Sequence, residues 1–123
     1  MFKKFLLFLL LFMALPAFSG EFEEASREHA KILVYMYTPE CGYCKKFDPL
    51  YSQLLQKYGK SCKFLKINAA TEYGNFIMRR LNASYVPYVA LINNQKQTLQ
   101  RITPTCLLNL ACTKDALDKF VYN

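Results

Sequence analysis

Two cysteines separated by two residues, Cys41 and Cys44, carry the chemistry most readily read from this chain. They lie in Thr38-Pro39-Glu40-Cys41-Gly42-Tyr43-Cys44-Lys45-Lys46, between an apolar run (32–37) and a helical pattern that opens at about Tyr43. A strand-to-helix turn of this kind places Cys41 at the helix N-cap or first helical position. There, unpaired backbone N–H groups and the positive end of the helix dipole stabilise a thiolate. Cys44 falls one turn later on the same side and can close onto it. Only the thiolate attacks a disulfide, so Cys41 is the expected nucleophile and Cys44 the expected resolving thiol.

Other uses of the pair fit less well. Half a zinc site would need a second CxxC, and Cys62, Cys106 and Cys112 do not form one; the single histidine, His29, precedes the apolar run. Haem attachment requires histidine directly after the second cysteine, where this chain has Lys45. A purely structural disulfide remains the plain alternative. Neither a metal nor an organic cofactor is expected. Lys45 and Lys46 favour a thiolate at Cys41 while Glu40 opposes it, and the lysines serve equally well as a solvated helix face.

The compartment is read from the first residues. Met1-Phe2-Lys3-Lys4 is basic, Phe5 to Leu15 is apolar, and Pro16-Ala17-Phe18-Ser19 ends in small residues suited to cleavage before Gly20. Residues 1–19 are therefore expected to be a signal peptide and 20–123 one small domain, with an uncleaved anchor as the alternative. Export of a bacterial type implies the periplasm, an oxidising setting in which a reactive CxxC needs a membrane or periplasmic redox partner. The formal charge of +7 is spread along the chain. No basic run with interleaved aromatics argues for nucleic acid.

The elements needed to hold the pair follow in order. Glu21 to Ala30 has early acids and late Arg27 and His29, as a short helix would, with Phe22, Ala25, Ser26 and His29 as its inner face. Lys31 to Tyr37 is a buried central strand. Tyr43 to about Tyr58 is a helix with Cys44, Phe47, Leu50, Leu54, Leu55 and Tyr58 inward, Pro49 inside it and Gly59 as its stop. Cys62 to Asn68 alternates as a second strand. Thr71 to Leu81 is a helix weakened by Gly74. Tyr88 to Ile92 and Gln97 to Ile102 form a hairpin across Asn93-Asn94-Gln95-Lys96. Lys114 to Tyr122, capped by Thr113, is a terminal amphipathic helix.

This order, with Cys41-Gly42-Tyr43-Cys44 at the first strand-to-helix turn, resembles the thioredoxin-fold superfamily from Lys31 onward. Pro49 matches the proline inside that family's active-site helix, and Val86-Pro87 matches its cis-proline loop. The resemblance implies an α/β thioredoxin-like fold, a central four-stranded mixed sheet flanked by helices. It also implies a client segment bound in strand-like fashion at Val86 and Pro87, beside Gly42 and Tyr43. The Gly42-Tyr43 dipeptide is similar to that of exported Dsb-type disulfide isomerases. Two positions depart from thioredoxins: Tyr35 replaces a buried acid and Glu40 a tryptophan. Tyr35 cannot take the Cys44 proton as a carboxylate would, so water or another group must.

Cys106 and Cys112 flank five residues, close enough for a small-loop structural disulfide. In the thioredoxin topology Cys62 begins its strand at the end remote from the dithiol and is expected to be the odd, buried thiol, with a Cys62–Cys106 or Cys62–Cys112 bridge as the alternative. The functional expectation is a monomeric periplasmic thiol:disulfide oxidoreductase that reduces or isomerises disulfides in exported proteins. The alternatives are a net disulfide oxidant and a non-catalytic thioredoxin-fold binding module.

Overall fold

The computed structural model describes residues 20–123. The expected signal segment, 1–19, lies outside the described residues. Helix α1 (Glu21–Glu28) is followed by β1 (Lys31–Tyr37), α2 (Gly42–Tyr58), β2 (Lys63–Asn68) and α3 (Glu72–Arg80). Then come β3 (Tyr88–Asn93), β4 (Thr98–Ile102), a short α4 (Pro104–Leu107) and α5 (Leu110–Tyr122). The four strands form one mixed sheet in the order β2-β1-β3-β4. β1 is parallel to β2 and antiparallel to β3, which is antiparallel to β4.

The central position of β1 follows from its composition. Ile32 to Met36 are all buried, so neither face of the strand meets water. Alternation divides them between two cores. Leu33 and Tyr35 pack with Phe47, Tyr51, Leu54 and Tyr58 of α2 and Leu117 of α5. Ile32, Val34 and Met36 pack with Phe22 and Ala25 of α1 and Ile77 of α3. Helices thus cover both faces.

The register positions the reactive segment. Met36 pairs with Tyr88, so the chain leaving β1 toward Cys41 and the Val86-Pro87 segment entering β3 share one end of the sheet. The parallel neighbour β2 ends at that same end, with Tyr37 opposite Asn68.

Several local expectations are corrected. The inward stripe of α2 contains Tyr51, whereas Leu55 is exposed; the buried set 44, 47, 51, 54 and 58 keeps strict three-and-four spacing. Helix α1 stops at Glu28, leaving His29 exposed and extended beyond it. Cys62 precedes β2, its backbone N–H donating to the Tyr58 carbonyl. Gly74 is buried in α3 because a Cβ there would overlap the carbonyl oxygen of Asn68. The last helix begins four residues earlier than Lys114, at Leu110, and its cap is Asn109, whose side chain accepts the Cys112 N–H at 3.0 Å. Thr113 is buried inside that helix and donates its hydroxyl to the carbonyls of Asn109 and Leu110. Pro104 opens α4, a short helix between the last strand and the last long helix; Pro is suited to a first turn, where its missing N–H costs nothing.

Candidate redox site

Cys41 is the N-cap of α2, with extended backbone (φ −72°, ψ 113°), and its Sγ accepts the backbone N–H of Cys44 at 3.1 Å. Thr38 and Lys45 frame it: the Cys41 N–H donates to the Thr38 carbonyl, and the Lys45 N–H to the Cys41 carbonyl. The two cysteines are joined as a disulfide with Cα atoms 5.2 Å apart. Their environments differ. Cys41 is half-buried, whereas Cys44 is 2% exposed and belongs to the core between sheet and helix. A large partner can reach the first sulfur and not the second.

The surface around Cys41 is open and partly apolar. A Cβ added to Gly42 would meet nothing within 4 Å. Tyr43 is 62% exposed, with the Lys46 ammonium 5.2 Å from its ring centroid. Lys46 is thereby drawn to an aromatic face. Tyr43, Val86 and Pro87 line one cavity of about 310 Å³ with Tyr85, Pro104 and Leu108. The Val86–Pro87 peptide bond is cis. Tyr43 at the start of α2 and Val86-Pro87 before β3 thus share one hollow, while Gly42 lines a neighbouring one with Tyr43 and Lys46.

Cys106 and Cys112 form a second disulfide, Cα to Cα 5.3 Å, which ties α4 to the first turn of α5. Cys62 is a free, buried thiol. Burial pushes it up to about 11, against a smaller opposite pull from Lys31. His29 lines a separate hollow of about 350 Å³ with Lys31, Lys60, Cys62 and Lys63, at the far end of β1 from Cys41. Among the described residues no group of three or more His, Cys, Asp or Glu side chains is arranged to hold a metal ion. No helix of the described residues is long and apolar enough to cross a membrane.

Behind the dithiol, Tyr35 meets two residues that the sequence does not single out, Asp48 and Lys66. Tyr35 is fully buried, and its hydroxyl donates to Asp48 Oδ1 at 2.9 Å, with the Cys44 carbonyl oxygen 3.2 Å away. Lys66 Nζ lies 3.4 Å from the same Oδ1 and 4.7 Å from the Tyr37 ring centroid. Burial first, and the Asp48 carboxylate second, hold the Tyr35 hydroxyl well above the ordinary tyrosine range. It therefore acts as a donor and not as an acid. Asp48 follows Cys44 by four residues, and that helical spacing was the available signal.

Comparison with known proteins agrees with this geometry. The family model described as Thioredoxin matches residues 15–115. A protein disulfide-isomerase of Hordeum vulgare is 28% identical over 85 residues, covering 67% of this chain and 17% of that protein. One of Drosophila melanogaster is 44% identical over 41 residues, 32% of this chain and 8% of that protein. The chain therefore spans less than a fifth of the length of these curated relatives. Among solved structures, the reduced Schistosoma mansoni thioredoxin pre-protein superposes with a TM-score of 0.68 at 24% identity, covering 84% of this chain and 92% of that one. The oxidised thioredoxin of Plasmodium falciparum gives 0.67 at 18% identity, also covering 84% and 92%. The four-stranded mixed sheet with its flanking helices is a thioredoxin-like α/β fold, and its CxxC pair is consistent with thiol:disulfide exchange. With its model matched across most of the sequence, the chain belongs to the thioredoxin family.

Proposed function

We propose that this chain is an exported thiol:disulfide oxidoreductase that reduces or isomerises disulfides in other exported proteins. The observation that carries the reading is the asymmetry of the pair: Cys41 is an accessible helix cap and Cys44 a buried thiol one turn on. The Cys41 thiolate attacks one sulfur of a client disulfide, and the other client sulfur leaves as a thiolate. Cys44 then attacks Cys41, forming the Cys41–Cys44 disulfide and releasing the second client thiol, so the client gains two electrons and the protein loses two. In isomerisation the client's own thiol attacks the mixed disulfide instead, and the dithiol is recovered reduced. Val86 and Pro87 hold the extended client backbone, while Gly42 and Tyr43 border its reactive sulfur.

The basic and apolar pattern of residues 1–19 supports export to a bacterial periplasm, where a membrane or periplasmic donor would re-reduce the pair. The protein is proposed to act as a monomer, with protein disulfides as its substrates and no nucleic acid among its partners. The test is turnover of a scrambled-disulfide protein by the full chain, with and without a thiol donor. Recovery of native pairing that disappears in Cys41→Ser supports the reading. Equal recovery by Cys41→Ser would overturn it.

A further inference from the structure

Resolution of the mixed disulfide demands a thiolate at the buried sulfur of the pair. Cys44 is 2% exposed, and burial disfavours its charged form. Its proton must be taken by a neighbouring group. Glu40 lies in the exposed turn before Cys41, whereas Asp48 lies one helical turn beyond Cys44. Asp48 is also anchored. Tyr35 from β1 donates to its Oδ1 and lies beside the Cys44 carbonyl, and Lys66 from β2 approaches the same Oδ1. Tyr35 and Lys66 are themselves paired across the two strands, so their placement is set by sheet register. Both contacts fall on Oδ1 and leave Oδ2 clear of them. The Asp48 side chain is 41% exposed, so it joins the buried core to solvent.

We propose that Asp48, positioned by Tyr35 and Lys66, accepts the proton of the Cys44 thiol in the resolving step. This inference rests on the oxidoreductase reading and extends it. The Cys44 S–H proton passes to the Asp48 carboxylate, directly or across one water. The new thiolate attacks Cys41 Sγ and the Cys41–Cys44 bond forms. The bond from Cys41 to the client sulfur breaks, and that sulfur leaves with the electron pair. Asp48 then loses its proton to solvent on its exposed side. The charged and titratable groups facing Asp48 are Tyr35 from β1, Lys66 from β2, and Tyr51 of its own helix. Tyr35 and Lys66 are positioning residues.

An electrostatic bystander and a proton acceptor give opposite results. A carboxylate near a thiol disfavours the thiolate, so if Asp48 were only a charge, its removal would speed resolution. If it takes the proton, its removal slows resolution.

The experiment mixes the reduced full chain with excess glutathione disulfide and follows the protein–glutathione mixed disulfide by acid quench and mass spectrometry. The readout is the rate of its decay relative to its formation. Asp48→Asn is expected to lower that ratio about a hundredfold near neutral pH, with the deficit closing in alkali, where hydroxide replaces the carboxylate. Asp48→Glu is expected to recover most of the loss, and Tyr35→Phe to fall between. An unchanged or raised ratio in Asp48→Asn, at all pH values, would overturn the proposal. If the parent chain forms no mixed disulfide at all, the oxidoreductase reading itself fails, a result distinct from slow resolution.

Discussion

The Sγ of Cys41 accepts the backbone N–H of Cys44 at 3.1 Å, so the outer sulfur of the pair caps the helix that carries the inner one. An N-cap acceptor satisfies one of the orphan donors of a helix start, and a thiolate there also meets the positive end of the dipole. The same contact therefore serves stability in the oxidised chain and reactivity in the reduced one.

Alkylation should separate the cysteines. In the reduced, folded protein, iodoacetamide is expected to modify Cys41 first, leaving Cys44 and Cys62 protected by burial at 2% and 6% exposure. Mass mapping after partial labelling checks this. Labelling of Cys62 before Cys41 in the native protein would contradict the packing described.

Gly74 tests the contact between α3 and the end of β2. Alanine has the better helix propensity by about 1 kcal/mol. Against that, its Cβ would overlap the Asn68 carbonyl oxygen, a backbone atom that cannot swing aside. Overpacking costs about 1–3 kcal/mol, so Gly74→Ala is expected to destabilise on balance. Urea melts of the oxidised protein check the sign.

How much of this was legible in the sequence depends on the range of the determining contact. β1 is legible because the unbroken apolar run from Ile32 to Tyr37, rich in β-branched and aromatic residues, declares a strand covered on both sides. The Cys41 cap was readable because capping is local. Gly74 read as a weak point in a helix, since its reason, the Asn68 carbonyl, arrives from another element. The start of α5 was misplaced because Thr113 looks like a cap in isolation. Asn109, four residues earlier, takes that role, with the Cys106–Cys112 bridge beside it. Asp48 is not legible in the sequence because its meaning depends on Tyr35 and Lys66, which only the sheet register brings together.

The second disulfide closes a short loop, so its contribution should be modest. Loop entropy for Cys106–Cys112 gives about 2 kcal/mol. The double variant Cys106→Ser/Cys112→Ser is expected to lose about that much in denaturant melts, with the fold retained. It should retain the Cys41–Cys44 couple, which thiol titration of the variant measures.

Alkaline pH should loosen the fold through Cys62. Its thiol ionises near 9 in a free chain and near 11 in the folded one, chiefly through burial. Between those values the unfolded chain has lost a proton that the native chain keeps. Stability contributed by this group is full below 9 and declines as pH rises toward 11, by at most about 1.4 kcal/mol per pH unit. Cys62→Ala should flatten the slope between pH 9 and 10, before Tyr51 and Tyr73, both pushed up to about 12 by burial, add theirs. Comparing slopes removes the constant cost of the cavity.

The central claim is that Cys41 and Cys44 form a reversible dithiol–disulfide couple, and equilibration of the full chain in graded glutathione buffers tests it most directly. The account predicts a single two-electron transition assigned by mass mapping to Cys41–Cys44, between about −270 and −120 mV, the span of known exchangers. Cys106–Cys112 is predicted to stay oxidised throughout. A Cys41–Cys44 pair that remains oxidised across every buffer, or a transition that maps to Cys106–Cys112 instead, would contradict it.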